Sequence, residues 1–252
     1  MRKVAGPEPG RCAVILPGSA STSDFAARAL GPALAALGLA TVSADPAALG
    51  DPAAQLAALD AAVREWDPVF VGGVSLGAHL AARWAAGRPP GRVAGLLLVL
   101  PAWTGGPGPV AAASAAAAGE VERAGIGPAL TRIAAGAAPE SAWVAAELAS
   151  AWPRYSPAAL ASALRATAAS DGPSPAELAA IRVPCGIVAL RDDPLHPVAV
   201  AREWAATIRT AALTETGLAA AGADRATLGR AAVHAWLRAG GRLNAERVSR
   251  SR

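Results

Sequence analysis

Histidine is scarce in this 252-residue chain, with three in all, and cysteine is scarcer, with two. A metal centre built from such ligands needs them at short, defined spacings, and His79, His196, His234, Cys12 and Cys185 have none, so no metal is expected. Two cysteines in separate apolar runs are no disulfide framework either; they read as buried free thiols, at home in a reducing cytoplasm. Lys3 is the single lysine. A phosphate loop of the P-loop type requires one, so Pro17-Gly18-Ser19-Ala20-Ser21-Thr22 is not such a loop, no dinucleotide fingerprint occurs elsewhere, and no cofactor is expected. Aromatic residues make up 4% of the chain. None lies between Arg238, Arg242, Arg247, Arg250 and Arg252, so the basic end, residues 241–252, lacks the stacking groups of a nucleic-acid platform. It reads as a solvated, disordered tail or at most a weak contact for anions. The longest strongly apolar run, Val93 to Leu100, is well short of the roughly 20 residues of a membrane span. The N-terminal MRKVAGPEPG has no hydrophobic segment of a secretory signal. The expectation is a soluble, cytoplasmic protein with no membrane or nucleic-acid partner.

What the chain does have is alternation. Cys12–Leu16, Leu39–Ala44, Val69–Val71 and Val93–Leu100 are short apolar runs, separated by alanine-rich stretches at 24–37, 52–65 and 76–86 that suit helices. Strands alternating with helices in this way predict an α/β protein with a mostly parallel central sheet. From about 105 to 180 the pattern changes to alanine-rich segments broken by prolines, with no clear strand. Strands return at Val183–Leu190 and Ala211–Thr214, with helices at Val198–Ile208 and roughly Asp224–Ala239. The domain reading is a core of residues 1–105 and 181–240, with a helical insertion at 106–180. Trp143, Trp152 and Tyr155 in the insertion, and Trp103 just before it, either pack onto the sheet domain or line a substrate pocket.

The chemistry concentrates at Gly73-Val74-Ser75-Leu76-Gly77. This is G-x-S-x-G, with a strand before it and a helix after it, the context in which the motif raises a serine on a strained turn at the helix N-terminus. Ser75 is the candidate nucleophile, and the Leu76 amide can donate to an oxyanion.

Over nearly its whole length the chain resembles the α/β-hydrolase fold superfamily. Leu16-Pro17-Gly18-Ser19 resembles that superfamily's oxyanion segment, with proline where histidine is frequent, which makes the Ser19 amide the second expected donor. LGPALAALGLATVSADPAALGDP resembles the run from its first helix to an acidic turn. The resemblance implies that residues 106–180 form a helical lid. It also implies an acid on the turn after the next strand, where Asp193-Pro194-Leu195-His196-Pro197 fits D-x-x-x-P. Asp193 is the better candidate and Asp192 the reserve, the other reading being that the pair only caps the following helix.

The histidine departs from the pattern. The resemblance places it after the last strand, but Glu215-Thr216-Gly217-Leu218-Ala219-Ala220-Ala221-Gly222-Ala223-Asp224 contains none. His79, on the helix behind Ser75, reads as packing. His234 lies about three turns into the last helix, over 10 Å beyond that loop at about 1.5 Å per residue. His196 leaves the strand end three residues after Asp193, where a turn lets the acid hold one ring nitrogen while the other faces Ser75; it is the best base available, against the reading of a loop histidine that lines the pocket. The leading expectation is a serine hydrolase, of esterase type, cleaving an ester or other acyl bond of a small apolar substrate, with Ser75, Asp193 and His196 as an incomplete-looking triad. The alternatives are a non-hydrolytic lyase, cyclase or isomerase on the same fold, and an inactive small-molecule-binding homologue. An exposed surface of the insertion could pair two copies into a homodimer.

Overall fold

The computed structural model describes residues 12–43, 51–64, 68–88 and 91–243. The basic tail beyond Leu243, Lys3 with the N-terminal segment, and most of the acidic turn after the second strand lie outside the described residues.

Six parallel strands form one sheet: β1 (Cys12–Leu16), β2 (Ala40–Val42), β3 (Val69–Val74), β4 (Val93–Val99), β5 (Cys185–Leu190) and β6 (Ala211–Thr216), in the order β2-β1-β3-β4-β5-β6. β1, β3 and β5 are buried at every position, as strands with helices on both faces must be. On one face lie α1 (Ser23–Ala36) and α11 (Ala226–Arg238), which bury Phe25, Leu30, Leu34, Leu228 and Trp236 against Ile15, Phe70 and Val188. On the other lie α2 (Pro52–Val63), α3 (Leu76–Ala86) and α9 (Val198–Thr207), with Leu59, Leu80 and Trp204 against Val14, Val71 and Ile187. Among the described residues no helix is long and apolar enough to cross a membrane.

Between β4 and β5 come α4 (Pro109–Ala124), α5 (Ile126–Gly136), α6 (Ala142–Ala151), α7 (Pro157–Ala168) and α8 (Pro175–Ala180). Several prolines that interrupt the sequence here begin helices rather than break them. Pro109, Pro157 and Pro175 each occupy the first turn, where the missing N–H has no partner to lose. Ser156 caps α7 by accepting from the Ala159 amide, and Ser174 with Glu177 forms a reciprocal capping box on α8. Trp152, Tyr155, Leu160 and Leu164 build an apolar cluster within this insertion, joined by Ala20 from the loop after β1. Leu178 of α8 instead belongs to the core beneath the sheet.

The elements fall where the alternation predicts, with differences of a few residues at their ends. The larger difference follows β6, which runs to Thr216 rather than Thr214. The segment read as a loop then winds into a short helix, α10 (Leu218–Ala223). Its alanines are strong helix formers, and Arg225 donates to the Ala221 carbonyl at its end.

The approach of α11 to the sheet depends on the absence of a side chain at Gly186 of β5. A Cβ there would stand 2.0 Å from the Ala232 carbonyl oxygen and 2.7 Å from the Trp236 nitrogen, both backbone atoms that cannot rotate away. Gly186→Ala should therefore lift the helix and lower the unfolding free energy by about 1–3 kcal/mol, read as a lower denaturant midpoint at unchanged m-value; an unchanged midpoint would contradict the close contact.

Candidate active site

Ser75 stands between β3 and α3 with φ 54° and ψ −117°, a left-handed conformation that a non-glycine residue adopts only under constraint. The constraint is visible. Its amide donates to the Val99 carbonyl at 2.8 Å, and its carbonyl accepts from the Ala78 and His79 amides. At Gly73 a Cβ would lie 2.1 Å from the Gly77 carbonyl carbon, and at Gly77 one would lie 2.1 Å from the Leu16 carbonyl oxygen. Both flanking glycines are thus required by the crossing of β1, β3 and α3. The loop after β1 reaches the same point: a Cβ on Gly18 would be 3.5 Å from Ser75 Cβ. Among the described residues, the Ser19 and Leu76 amides donate to no protein acceptor. They are unspent N–H groups at the elbow, one of them at the N-terminus of α3.

The turn after β5 brings a histidine to the serine and an aspartate to that histidine. His196 Nε2 lies 3.0 Å from Ser75 Oγ, and His196 Nδ1 lies 2.7 Å from Asp193 Oδ2. An ionised carboxylate only accepts, so the shared proton sits on Nδ1 and the Nε2 lone pair is turned to the serine hydroxyl. The other carboxylate oxygen, Oδ1, accepts from the Leu195 amide at 2.8 Å and the His196 amide at 3.3 Å. Asp193 thereby folds its own turn, with Pro194 supplying the fixed φ that favours the second turn position. Burial of Asp193 works to raise its pKa. The His196 hydrogen bond and charge, with the two amides, outweigh burial and hold the carboxyl below its ordinary value. Asp192 is exposed. Neither aspartate caps α9, whose N-cap is Pro197 with no side-chain bond.

The other histidines take different parts. His79 is buried, and its Nε2 accepts from the Ala102 amide at 2.9 Å and the Trp103 amide at 3.4 Å, fixing the loop after β4. Burial, with smaller contributions from the His196 and Arg83 charges, pushes its pKa down to about 3. His234 is exposed on α11. The segment after β6 packs against the insertion. A Cβ on Gly222 would meet Trp143 Cδ1 at 2.6 Å, the Arg225 guanidinium stacks 4.3 Å above the Trp143 ring, and Glu147 of α6 accepts from Arg225 at 3.0 Å and from Arg28 at 2.6 Å.

The four aromatic pocket candidates are dispersed. Trp103 meets His79 edge-on at 4.5 Å between ring centroids. Trp143 stacks on Phe25 of α1 at 6.4 Å. Trp152 and Tyr155 belong to the cluster that includes Ala20, the neighbour of Ser19. Sequence reasoning missed one polar partner of the site: Thr167 of α7, whose Oγ1 lies 2.7 Å from Ser19 Oγ across 148 residues of chain. A threonine in the alanine-rich LRATAAS carries no motif, so nothing in the sequence marks it.

The sequence matches no protein-family model, and no curated relative is found by sequence. The likeness is to solved structures. The enol-lactonase from Burkholderia xenovorans LB400 matches with a TM-score of 0.72 at 18% identity, covering 94% of each chain. A bromoperoxidase from Bacillus anthracis matches with a TM-score of 0.73 at 16% identity, covering 91% of this chain and 92% of that one. A thermophilic esterase from Thermogutta terrifontis matches with a TM-score of 0.67 at 16% identity, covering 93% and 92%. The chain has the α/β-hydrolase fold.

Because His79 stays neutral in the native protein to about pH 3 while an unfolded histidine titrates near 6.5, the unfolded state binds the extra proton below that pH. Stability should therefore fall as pH drops from about 6.5 to 5, at up to about 1.4 kcal/mol per unit. Urea unfolding of the wild type and His79→Gln across that window checks this: the variant should lose this part of the slope, and equal slopes would count against a neutral buried imidazole.

Proposed function

We propose that this protein is a serine hydrolase of esterase type, acting on an ester or other acyl bond of a small apolar molecule. The observation that carries the reading is the chain of contacts from Ser75 Oγ through His196 to Asp193, at 3.0 and 2.7 Å. Ser75 Oγ attacks the carbonyl carbon while His196 Nε2 takes its proton. Asp193 holds Nδ1–H and stabilises the imidazolium that forms. The carbonyl oxygen becomes an oxyanion and accepts from the amides of Leu76 and Ser19. His196 returns its proton to the leaving alkoxide, and the acyl group remains on Ser75. Water, deprotonated by the same Nε2, then attacks the acyl carbon; the bond to Ser75 Oγ breaks, Oγ takes the proton back from Nε2, and the acid is released.

The helical insertion serves as a lid, and its alanine-rich composition favours an apolar acyl or alcohol group. The likeness to an enol-lactonase and an esterase accords with ester or lactone bonds as the substrate class. A second reading, a non-hydrolytic enzyme on the same fold, has support in the likeness to a bromoperoxidase. The inactive-binder reading rested on the lack of a histidine after β6, and the contact of His196 with Ser75 weighs against it.

Fluorophosphonate labelling of the purified protein tests the assignment. The wild type should label rapidly and Ser75→Ala not at all. His196→Ala should label about 10²–10⁴-fold more slowly, and Asp193→Asn should lose up to about 10⁴-fold, with Asp192→Asn unaffected. A folded wild type that does not label would overturn the hydrolase reading.

A further inference from the structure

The hydrogen bond between Ser19 and Thr167 has a direction. Thr167 Oγ1 is 3.0 Å from the Ala163 carbonyl oxygen, one turn back along α7, and donates its proton there. At Ser19 Oγ, 2.7 Å away, Thr167 must then accept, and the serine hydroxyl is the donor. Thr167 is 4% exposed, so its side of the contact is shielded from water. The threonine is itself anchored. Ser170 Oγ donates to its carbonyl, and the following chain is tied to the loop after β4 by Gly172 donating to the Gly105 carbonyl and Gly105 to that of Pro173.

Ser19 sits in a turn that few backbone hydrogen bonds hold, although the neighbouring Ala20 packs into the insertion's apolar cluster. The next residue, Ala20, has φ 50° without being glycine, and the local turn is closed by one bond from the Ser21 amide to the Gly18 carbonyl at 3.2 Å. A strained turn of this kind keeps its shape only when its surroundings enforce it. Its amide must point at the oxygen above Ser75, and small misplacements of a donor forfeit much of its effect.

We propose that Thr167 is a positioning residue: it grips the Ser19 hydroxyl from the helical insertion and so aims the Ser19 amide at the oxyanion. The proposal rests on the assignment of Ser75 as nucleophile and of the Ser19 amide as oxyanion donor. It makes the insertion part of the machinery and not only a cover, since the hydroxyl that orients one donor belongs to α7. Ser19 contributes its amide to the substrate and its side chain to the scaffold.

The test uses the full chain and a fluorophosphonate probe, with Thr167→Val, Thr167→Ser, Ser19→Ala and the Ser19→Ala/Thr167→Val double variant, each checked for its thermal midpoint. Thr167→Val and Ser19→Ala should each lower the maximal labelling rate about 10- to 100-fold, with little change in the probe concentration at half-maximal rate. Thr167→Ser should restore the rate, and the double variant should be no slower than the slower single one, because both remove the same bond. A Thr167→Val protein that labels at the wild-type rate overturns the proposal. So do equal losses in Thr167→Val and Thr167→Ser, or additive losses in the double variant. If Thr167→Val does not fold, Ser19→Ala breaks the bond from the other side and decides alone: an unchanged rate overturns the proposal and a reduced maximal rate supports it. An unlabelled wild type overturns the nucleophile assignment instead, a failure visible before any variant at 19 or 167 is made.

Discussion

Everything at the proposed site hangs on how closely β1, β3 and α3 approach one another. Gly73 and Gly77 have no room for even a methyl group, because backbone atoms of Gly77 and Leu16 occupy the space. That crossing forces Ser75 into its left-handed conformation and lifts its hydroxyl off the strand ends. It also sets the N-terminus of α3 directly after the serine and leaves the Leu76 amide without an acceptor among the described residues. The same approach brings Gly18 alongside, and with it the Ser19 amide. Strain at one residue is thus the result of packing over several, and the buried sheet around it supplies the enforcing rigidity.

A second constraint is local. Asp193 folds its turn with one oxygen and orients His196 with the other, so carboxylate and imidazole form a single unit on the end of β5. The segment after β6, where the superfamily resemblance would place a histidine, is then available for another purpose. It forms α10 and joins the insertion to the core through Gly222, Trp143, Arg225 and Glu147. Arg225 and Glu147 are both mostly shielded from solvent, and Glu147 serves two arginines at once. A shared, half-buried carboxylate of this kind holds position better than an exposed pair, whose attraction water largely screens.

The fold was legible because parallel strands between two helical layers leave unbroken apolar runs, and those runs are hard to mistake in Cys12–Leu16 or Val93–Val99. Ser75 was legible because only glycines tolerate the crossing around it, so the constraint is written as a motif. Asp193 and His196 were legible as neighbours three residues apart, but that the carboxylate meets the imidazole and the imidazole meets Ser75 depends on a turn whose geometry spacing alone does not fix. The aromatic side chains were read as a group and only Trp152 and Tyr155 are found together, since helical phase in an alanine-rich segment leaves the direction of each face open. Thr167 was not legible at all. Its partner is 148 residues away, and nothing about a threonine among alanines distinguishes a hydroxyl that grips a loop from one that bonds only its own helix.

The placement of Asp193 and His196 on one turn also bears on how such a site is assembled during folding. In a triad drawn from three separate loops, two distant closures must both succeed, each against the entropy of the intervening chain. Here the pairing of carboxylate and imidazole spans three residues and can form as soon as the turn does, while only the contact of His196 with Ser75, 121 residues apart, waits for the sheet. The dyad is a short-range element riding on a long-range scaffold. Rearrangements elsewhere in the chain can shift it as a body without taking it apart.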